Sequence, residues 1–227
     1  MRLPGLLQII LLLALSWSVQ ASGRVKLNVF DKPNEQSEAR FDSAMARKGR
    51  VKLNFNADWR LCVGDFPKAA EVAFDDSRWQ QVTLPYAFNG HEAFKKDIVD
   101  LTDTICWYRK TFSIPASFGG DGSDSKVFIE FEGVRQGADF YLNGHHLGFS
   151  ENGVMACGFD LTPYVKAGTN VMAVRCDNSW NYRSRKHDSR YQWNDKNFNA
   201  NYGGIPKNVY LHVTDRLYQT LPLYSDL

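Results

Sequence analysis

Trp193-Asn194-Asp195-Lys196-Asn197-Phe198-Asn199-Ala200-Asn201-Tyr202-Gly203-Gly204-Ile205 sets aromatic rings among amide and carboxylate side chains, then runs through a Gly-Gly turn into an apolar strand. Aromatic faces stack on apolar C–H surface, and amides and carboxylates exchange hydrogen bonds with hydroxyls. That combination suits the holding of a sugar. Trp193, Asp195, Asn199, Asn201 and Tyr202 are the candidate contacts in this stretch. A second polar segment, between residues 88 and 105, adds the carboxylates of Asp97, Asp100 and Asp103, with Glu92 nearby.

Other chemistries leave no trace. The chain contains no G-x-S-x-G, no G-x-x-x-x-G-K-[ST] and no H-E-x-x-H, so nucleophile elbow, phosphate loop and zincin are not supported. Hydrolysis by a carboxylate pair needs two carboxyls on rigid elements roughly 5–9 Å apart, one of them with a raised pKa. The carboxylates here are scattered, and no catalytic residue is assigned. His145 and His146 follow an Asn-Gly turn and point to opposite faces of a strand. With His91, His187 and His212 they read as turn and surface residues, so no metal ligand and no cofactor is expected. Arg183-Ser184-Arg185-Lys186 reads as a solvated basic loop offset by Asp188 and Asp195.

The elements that must position the candidate contacts begin after an apolar leader. Arg2, the run Leu6–Leu15 and Val19-Gln20-Ala21 have the layout of a signal peptide over residues 1–21. The run is too short for a membrane span of about 20 residues, so the expected location is periplasmic or secreted. Residues 22–50 form a polar, partly disordered leader. About 206 residues of the 227 follow residue 21, enough for one domain with a real core. The formal charge of +2 falls to +1 without Arg2, and that balance favours neither nucleic acid nor a membrane surface as partner. Cys62, Cys106, Cys157 and Cys176 permit two bridges in three pairings, but each sits in an apolar stretch where a thiol can simply pack.

From Val51 onward, short apolar runs alternate with turn residues, the pattern of an all-β sandwich. Strands are expected over Val51–Phe55, Trp59–Val63, Gln81–Pro85, Ile105–Pro115, Lys126–Gly133, Val171–Asp177 and Asn208–Thr214. Asp75–Trp79 reads as a single helical turn, and Phe159–Val165 as a turn or short helical segment. Asp139–Gly148 reads as a hairpin about Asn143-Gly144, because both turn residues tolerate positive φ. In Lys126–Gly133, Val127, Ile129 and Phe131 face one way, with Glu130 and Glu132 on the polar side. The fold class is an all-β jelly-roll β-sandwich occupying residues 51–216.

The order of motifs carries a family resemblance. Asn54-Phe55-Asn56-Ala57-Asp58-Trp59-Arg60 comes first, then Asp76-Ser77-Arg78-Trp79 with Val82-Thr83-Leu84-Pro85, then Trp107-Tyr108-Arg109-Lys110-Thr111-Phe112. Phe131-Glu132-Gly133-Val134, Tyr141-Leu142-Asn143-Gly144, Gly168-Thr169-Asn170-Val171 and Asn201-Tyr202-Gly203-Gly204-Ile205 follow. The set resembles the N-terminal sugar-binding domain of glycoside hydrolase family 2, the β-galactosidase and β-glucuronidase family. The resemblance implies a galactose-binding-domain-like jelly roll. In full-length members an immunoglobulin-like domain and a TIM barrel follow, and the barrel holds the acid/base and nucleophile glutamates of a retaining reaction. Residues 217–227 then read as the start of a linker to those missing domains. The partner implied is a carbohydrate, of the β-galactoside type. Members offer an acidic residue seven positions before the Ile of the Gly-Ile motif; Phe198 stands there, with Asp195 the nearest acid, and Pro206-Lys207 replaces the usual Tyr-Arg or His-Arg. Trp59, Trp79, Trp107, Phe112 and Leu142 are expected in the core. Two other readings stand beside this one: a free-standing carbohydrate-binding module, and an inert fragment of a truncated gene.

Overall fold

The alternation read from the sequence becomes twelve short strands in the computed structural model, which describes residues 50–90, 104–119, 123–179, 182–190 and 202–219. They are β1 (Val51–Asn54), β2 (Trp59–Val63), β3 (Gln80–Val82), β4 (Tyr86–Ala87), β5 (Ile105–Ile114) and β6 (Ser125–Phe131), then β7 (Gly137–Leu142), β8 (His145–Ser150), β9 (Cys157–Asp160), β10 (Gly168–Asp177), β11 (Gly204–Ile205) and β12 (Val209–Asp215). A four-stranded sheet runs β1-β12-β6-β9 and a six-stranded sheet runs β3-β2-β5-β10-β7-β8. β4 and β11 form a separate two-stranded ribbon. The strand pairs are antiparallel, and the two large sheets close as a jelly-roll sandwich.

Side chains that alternate along each strand meet between the sheets. Val127, Ile129 and Phe131 of β6 and Leu211 and Val213 of β12 face Tyr108, Phe140, Met172 and Val174 of the other sheet. Phe131 of the small sheet lies 4.8 Å from Phe140 of the large one, and Phe140 lies 4.6 Å from Phe159. Trp59 is fully buried and donates its indole N–H to the Phe55 carbonyl at 2.8 Å, so its one polar atom is satisfied inside the core. Trp107 and Leu142 are buried as expected, whereas Trp79 and Phe112 are partly buried and packed on the core rims. The Asn143-Gly144 turn joins β7 to β8 with φ of 52° and 86°, the two positive values a tight hairpin needs.

Several expectations are corrected. Asp75–Trp79 is no helix: the Asp75 carboxylate accepts from the Ser77 amide and the Trp79 amide bonds to Asp76, two short local turns. The helical turn is a 3₁₀ segment at Pro67–Ala70, where proline pre-sets the first φ. Cys157–Asp160 is a strand, and only Leu161–Val165 turns. His212 is not a surface residue: it and Glu130 are almost fully buried and paired through His212 Nε2 and Glu130 Oε2 at 2.5 Å, with Lys52 at 3.2 Å from the same carboxylate oxygen. Burial pulls the His212 pKa down, and the Glu130 charge only partly opposes that. The four cysteines are free thiols.

Arg109 and Lys110 are neighbours on β5, both buried, and they point to opposite sides of the sheet. Arg109 faces outward and gathers the carbonyls of Ala69, Glu71 and Phe74 and the Asp76 carboxylate (2.8 Å), so segment 66–79 is folded around one guanidinium. Lys110 faces the core edge, where its ammonium donates to the Ala57 carbonyl and sits 4.3 Å from the Phe55 ring. Burial lowers the Lys110 pKa to about 8, with the nearby Asp58 charge opposing the shift.

The unfolded chain therefore holds this proton more tightly than the folded one. Lys110 opposes folding fully below about pH 8, and that opposition fades as the pH rises toward the unfolded value near 10.4. Relative to Lys110→Met, the native chain should gain about 2 kcal/mol of stability between pH 7 and pH 10. Urea denaturation of both proteins across that range reads the difference, and parallel pH profiles would refute it.

Candidate functional site

The β4–β11 ribbon adjoins in sequence the two candidate sugar-contact segments. Gly204 pairs with Ala87 and Ile205 with Tyr86. Just beyond, the Phe88 amide donates to the Gly203 carbonyl at 3.1 Å, and the Gly203 amide donates to Oδ1 of buried Asn89 at 3.0 Å. On the other side, the Asn178 amide donates to the Thr104 carbonyl at 3.0 Å. Asn89 and Thr104 flank residues 91–103, and Gly203 follows residues 191–201. The roots of both segments are thus bonded to one another. A single bridge from the segment between β6 and β7 joins them: Arg135 and Gly204 exchange both backbone hydrogen bonds at 2.9 Å.

One hydroxyl locks this ribbon to the sandwich. Tyr108 rises from the fully buried centre of β5 and donates to the Tyr86 carbonyl at 2.6 Å, while the Ile205 amide donates to the same oxygen. Burial drives the Tyr108 pKa well up, so the phenol stays a neutral donor. Gly204 permits the approach. Its φ is +99°, and a Cβ there would lie 2.2 Å from the Tyr108 oxygen. At Gly203 a Cβ would lie 2.2 Å from the Phe88 ring and 2.7 Å from the Asn178 amide. The Gly-Gly pair is a close-packing requirement of this end of the molecule.

The stretch 182–190, which leads into residues 191–201, is held by two carboxylates. Glu151, largely buried, accepts from the Tyr182 hydroxyl (2.9 Å), the Ser184 hydroxyl (3.1 Å) and the Arg185 amide (2.6 Å). Asp139 on β7 takes both terminal nitrogens of Arg185, at 2.8 and 2.5 Å, and His146 Nε2 at 3.1 Å. Burial pushes both carboxyls up, but the hydrogen bonds from these partners outweigh it and leave each below its ordinary pKa. Arg185 is exposed, as the solvated-loop expectation has it, and is also held in a bidentate ion pair with Asp139. Arg183 also keeps to the surface, paired with Asp188 at 2.6 Å. Carboxyls held low are the opposite of what a general acid requires, and among the described residues no group of three or more His, Cys, Asp or Glu could hold a metal.

Of the residues singled out from the sequence, Tyr202 is described, half-buried beside the Gly-Gly pair. Trp193, Asp195, Asn199, Asn201, Asp97, Asp100 and Asp103 lie outside the described residues, as does Glu92. Sequence reasoning missed Asn89, Asn178, Tyr182 and Glu151. Asn89-Gly90 carries only a turn signal, and nothing local marks Glu151 as the acceptor for a segment more than thirty residues away. Arg135 and Gln136 were missed too. Gln136 is fully buried and donates to the Glu151 carbonyl at 3.0 Å, while its Oε1 and Arg135 Nε have no hydrogen-bond partner among the described residues.

Removing the Tyr108 hydroxyl should loosen the ribbon and leave a buried carbonyl and amide unsatisfied. Tyr108→Phe is expected to cost about 1–3 kcal/mol and to speed amide exchange at Phe88 and Gly203; unchanged exchange there would sink the idea. Asp139→Asn tests the second anchor. A carboxylate with a depressed folded pKa contributes its full stability above its unfolded value of about 3.9 and loses it as the pH falls through the lower folded value. Because Arg185 is partly exposed, the effect at neutral pH should be about 1 kcal/mol. The acid limb of the stability profile, below about pH 4, should flatten in the variant.

Comparison with known proteins agrees with this architecture. Residues 30–215 match the sugar binding domain of glycosyl hydrolases family 2. A β-glucuronidase of Formosa agariphila is 38% identical over 187 residues, 78% of this chain and 18% of that protein. The β-galactosidase BoGH2A of Bacteroides ovatus is 35% identical over 190 residues, 78% of this chain and 22% of that protein. A solved structure of a β-glucuronidase from glycoside hydrolase family 2 superposes with a TM-score of 0.64 at 35% identity, covering 80% of this chain and 19% of the other. The chain spans about a fifth of the length of these relatives. With the family match over most of its length, the chain belongs to glycosyl hydrolase family 2, as its sugar-binding domain.

Proposed function

We propose that this chain is the sugar-binding domain of an exported β-glycosidase acting on β-galactosides, and that it supplies one wall of the sugar subsite. The observation that carries this reading is the joining of the roots of segments 91–103 and 191–201 at the β4–β11 ribbon. A rigid base beside two segments rich in carboxylate, amide and aromatic groups is what sugar recognition calls for. In this reading Asp195, Asn199, Asn201 and the carboxylates of Asp97, Asp100 and Asp103 bond to hydroxyls, and Trp193 and Tyr202 offer stacking faces. Hydrolysis would proceed by double displacement, with both catalytic carboxylates coming from other domains of the enzyme. The signal-peptide layout of residues 1–21 supports export. A β-glucuronide is the second reading, favoured by the 38% identical relative that bears that name.

Calorimetric titration of the purified chain with galactose, glucuronic acid and short β-linked oligosaccharides, together with a chromogenic β-galactoside assay, tests the proposal. Saturable binding without turnover is expected, weakened about tenfold by Asn201→Ala or Asp195→Asn, since each loses a hydrogen bond or two worth about 1.4 kcal/mol in total. Preference for glucuronic acid over galactose would shift the reading to β-glucuronides. Binding untouched by both substitutions would move the site elsewhere, and turnover that survives repurification would overturn the assignment of catalysis to other domains.

A further inference from the structure

The sequence permits two bridges among four cysteines; strand register brings together one pair of them. Cys106 on β5 and Cys176 on β10 are direct partners across an antiparallel pair. Both are fully buried, and both face the space between the sheets with Tyr108 and Val174. Burial and the neighbouring Cys106 thiol both push the Cys176 pKa well up. Directly opposed residues in an antiparallel pair have Cα atoms about 4.5 or about 5.5 Å apart, depending on the hydrogen-bonding position. Either separation lies within the roughly 4.4–6.8 Å that a disulfide spans.

The other two cysteines are excluded by geometry. Cys62 on β2 is the register partner of Trp107, so it shares the outward face of the six-stranded sheet. Cys106, one residue along β5, projects from the opposite face. Cys157 belongs to β9 in the four-stranded sheet, and stacked sheets stand about 10 Å apart. Neither side chain can be brought onto Cys106 or Cys176 without moving a strand.

We propose that Cys106 and Cys176 are a latent cross-strand disulfide, closed by thiol–disulfide exchange with a small-molecule or protein disulfide while the chain folds. One cysteine thiolate attacks the oxidant's disulfide, forming a mixed disulfide and releasing the first oxidant thiol. The second cysteine thiolate then attacks the mixed disulfide, forming the Cys106–Cys176 bond and releasing the second thiol. Two cysteine sulfurs are oxidised, the oxidant disulfide is reduced to two thiols, and the cysteine protons end on those thiols. Full burial makes the closed sandwich inert to the same reagent, so the exchange belongs to the open chain or to a transient opening. The pairing itself does not depend on the sugar reading or on export; the compartment decides only whether an oxidant is present.

The test refolds the reduced, urea-unfolded chain in mixed oxidised and reduced glutathione, with a dithiothreitol control. Quenching with acid and N-ethylmaleimide, followed by intact mass and peptide mapping, reads the pairing. The expected product carries maleimide on Cys62 and Cys157 and a single cross-link between the Cys106 and Cys176 peptides. It should also have a higher urea midpoint than the reduced control, because the link closes a loop of about 70 residues in the unfolded chain. Cys176→Ala should abolish the cross-link without diverting Cys106 to another partner. If refolding is inefficient, oxidised glutathione added to the folded chain in sub-denaturing urea reads the same pairing. Four maleimide adducts under both regimes, or a cross-link involving Cys62 or Cys157, would overturn the proposal.

Discussion

The hydroxyl of Tyr108 is the contact on which the functional end of this domain depends. It comes from the middle of the longest inner strand, so its position is fixed by the packing of both sheets. At its tip it joins the Tyr86 carbonyl to the Ile205 amide, two groups that also face each other in the ribbon register. A two-residue ribbon has almost no cooperative stability of its own. Tied to a core tyrosine, it becomes an extension of the sandwich. The bonds of Phe88, Gly203 and Asn89 are then made between groups that are already in place.

Charge is used in the same way elsewhere. Buried Arg109 and Lys110 do little as ion-pair partners of the surface kind and much as caps for carbonyls that have no strand to pair with. Irregular backbone packed against a sheet must find donors, and a guanidinium with five of them can satisfy a whole turn at once. Segment 66–79 covers Trp107 and Ala173 on the outer face because Arg109 lets its carbonyls be buried there. Glu151 is the acidic counterpart. Its carboxylate collects a hydroxyl from Tyr182, another from Ser184 and the amide of Arg185. The result is that stretch 182–190 reaches the site from a fixed direction.

How much of this was legible in the sequence follows from the range of each interaction. The strands β5, β7, β8, β10 and β12 were readable because alternation and the Asn143-Gly144 turn are local signals. The burial of Glu130 and His212 was not legible because period-two alternation marks which side a residue faces, not whether that side is covered; their mutual hydrogen bond across two strands lies beyond any local pattern. The ion pair of Arg185 was illegible for a related reason. Arg183, Arg185 and Lys186 are all exposed, and the residue that pairs with Arg185, Asp139, is 46 positions away. At the site, the Gly203-Gly204 pair was visible as a turn. Its function as space for Tyr108 and Phe88 was not, since close approach leaves no mark beyond the glycine itself.

This division between anchors and contacts bears on how one scaffold serves different sugars. The anchors, Tyr108, Asn89, Gly203, Gly204, Asp139 and Glu151, hold backbone and side chains of the described framework, so they answer to the fold. All the candidate contacts but Tyr202 belong in sequence to the two segments that the anchors flank. Specificity differences of a few kcal/mol need only one or two hydroxyl-directed groups to change. Relatives named β-glucuronidase and β-galactosidase align with this chain at nearly the same identity, 38% and 35%. Overall similarity to the framework therefore carries little information about the sugar.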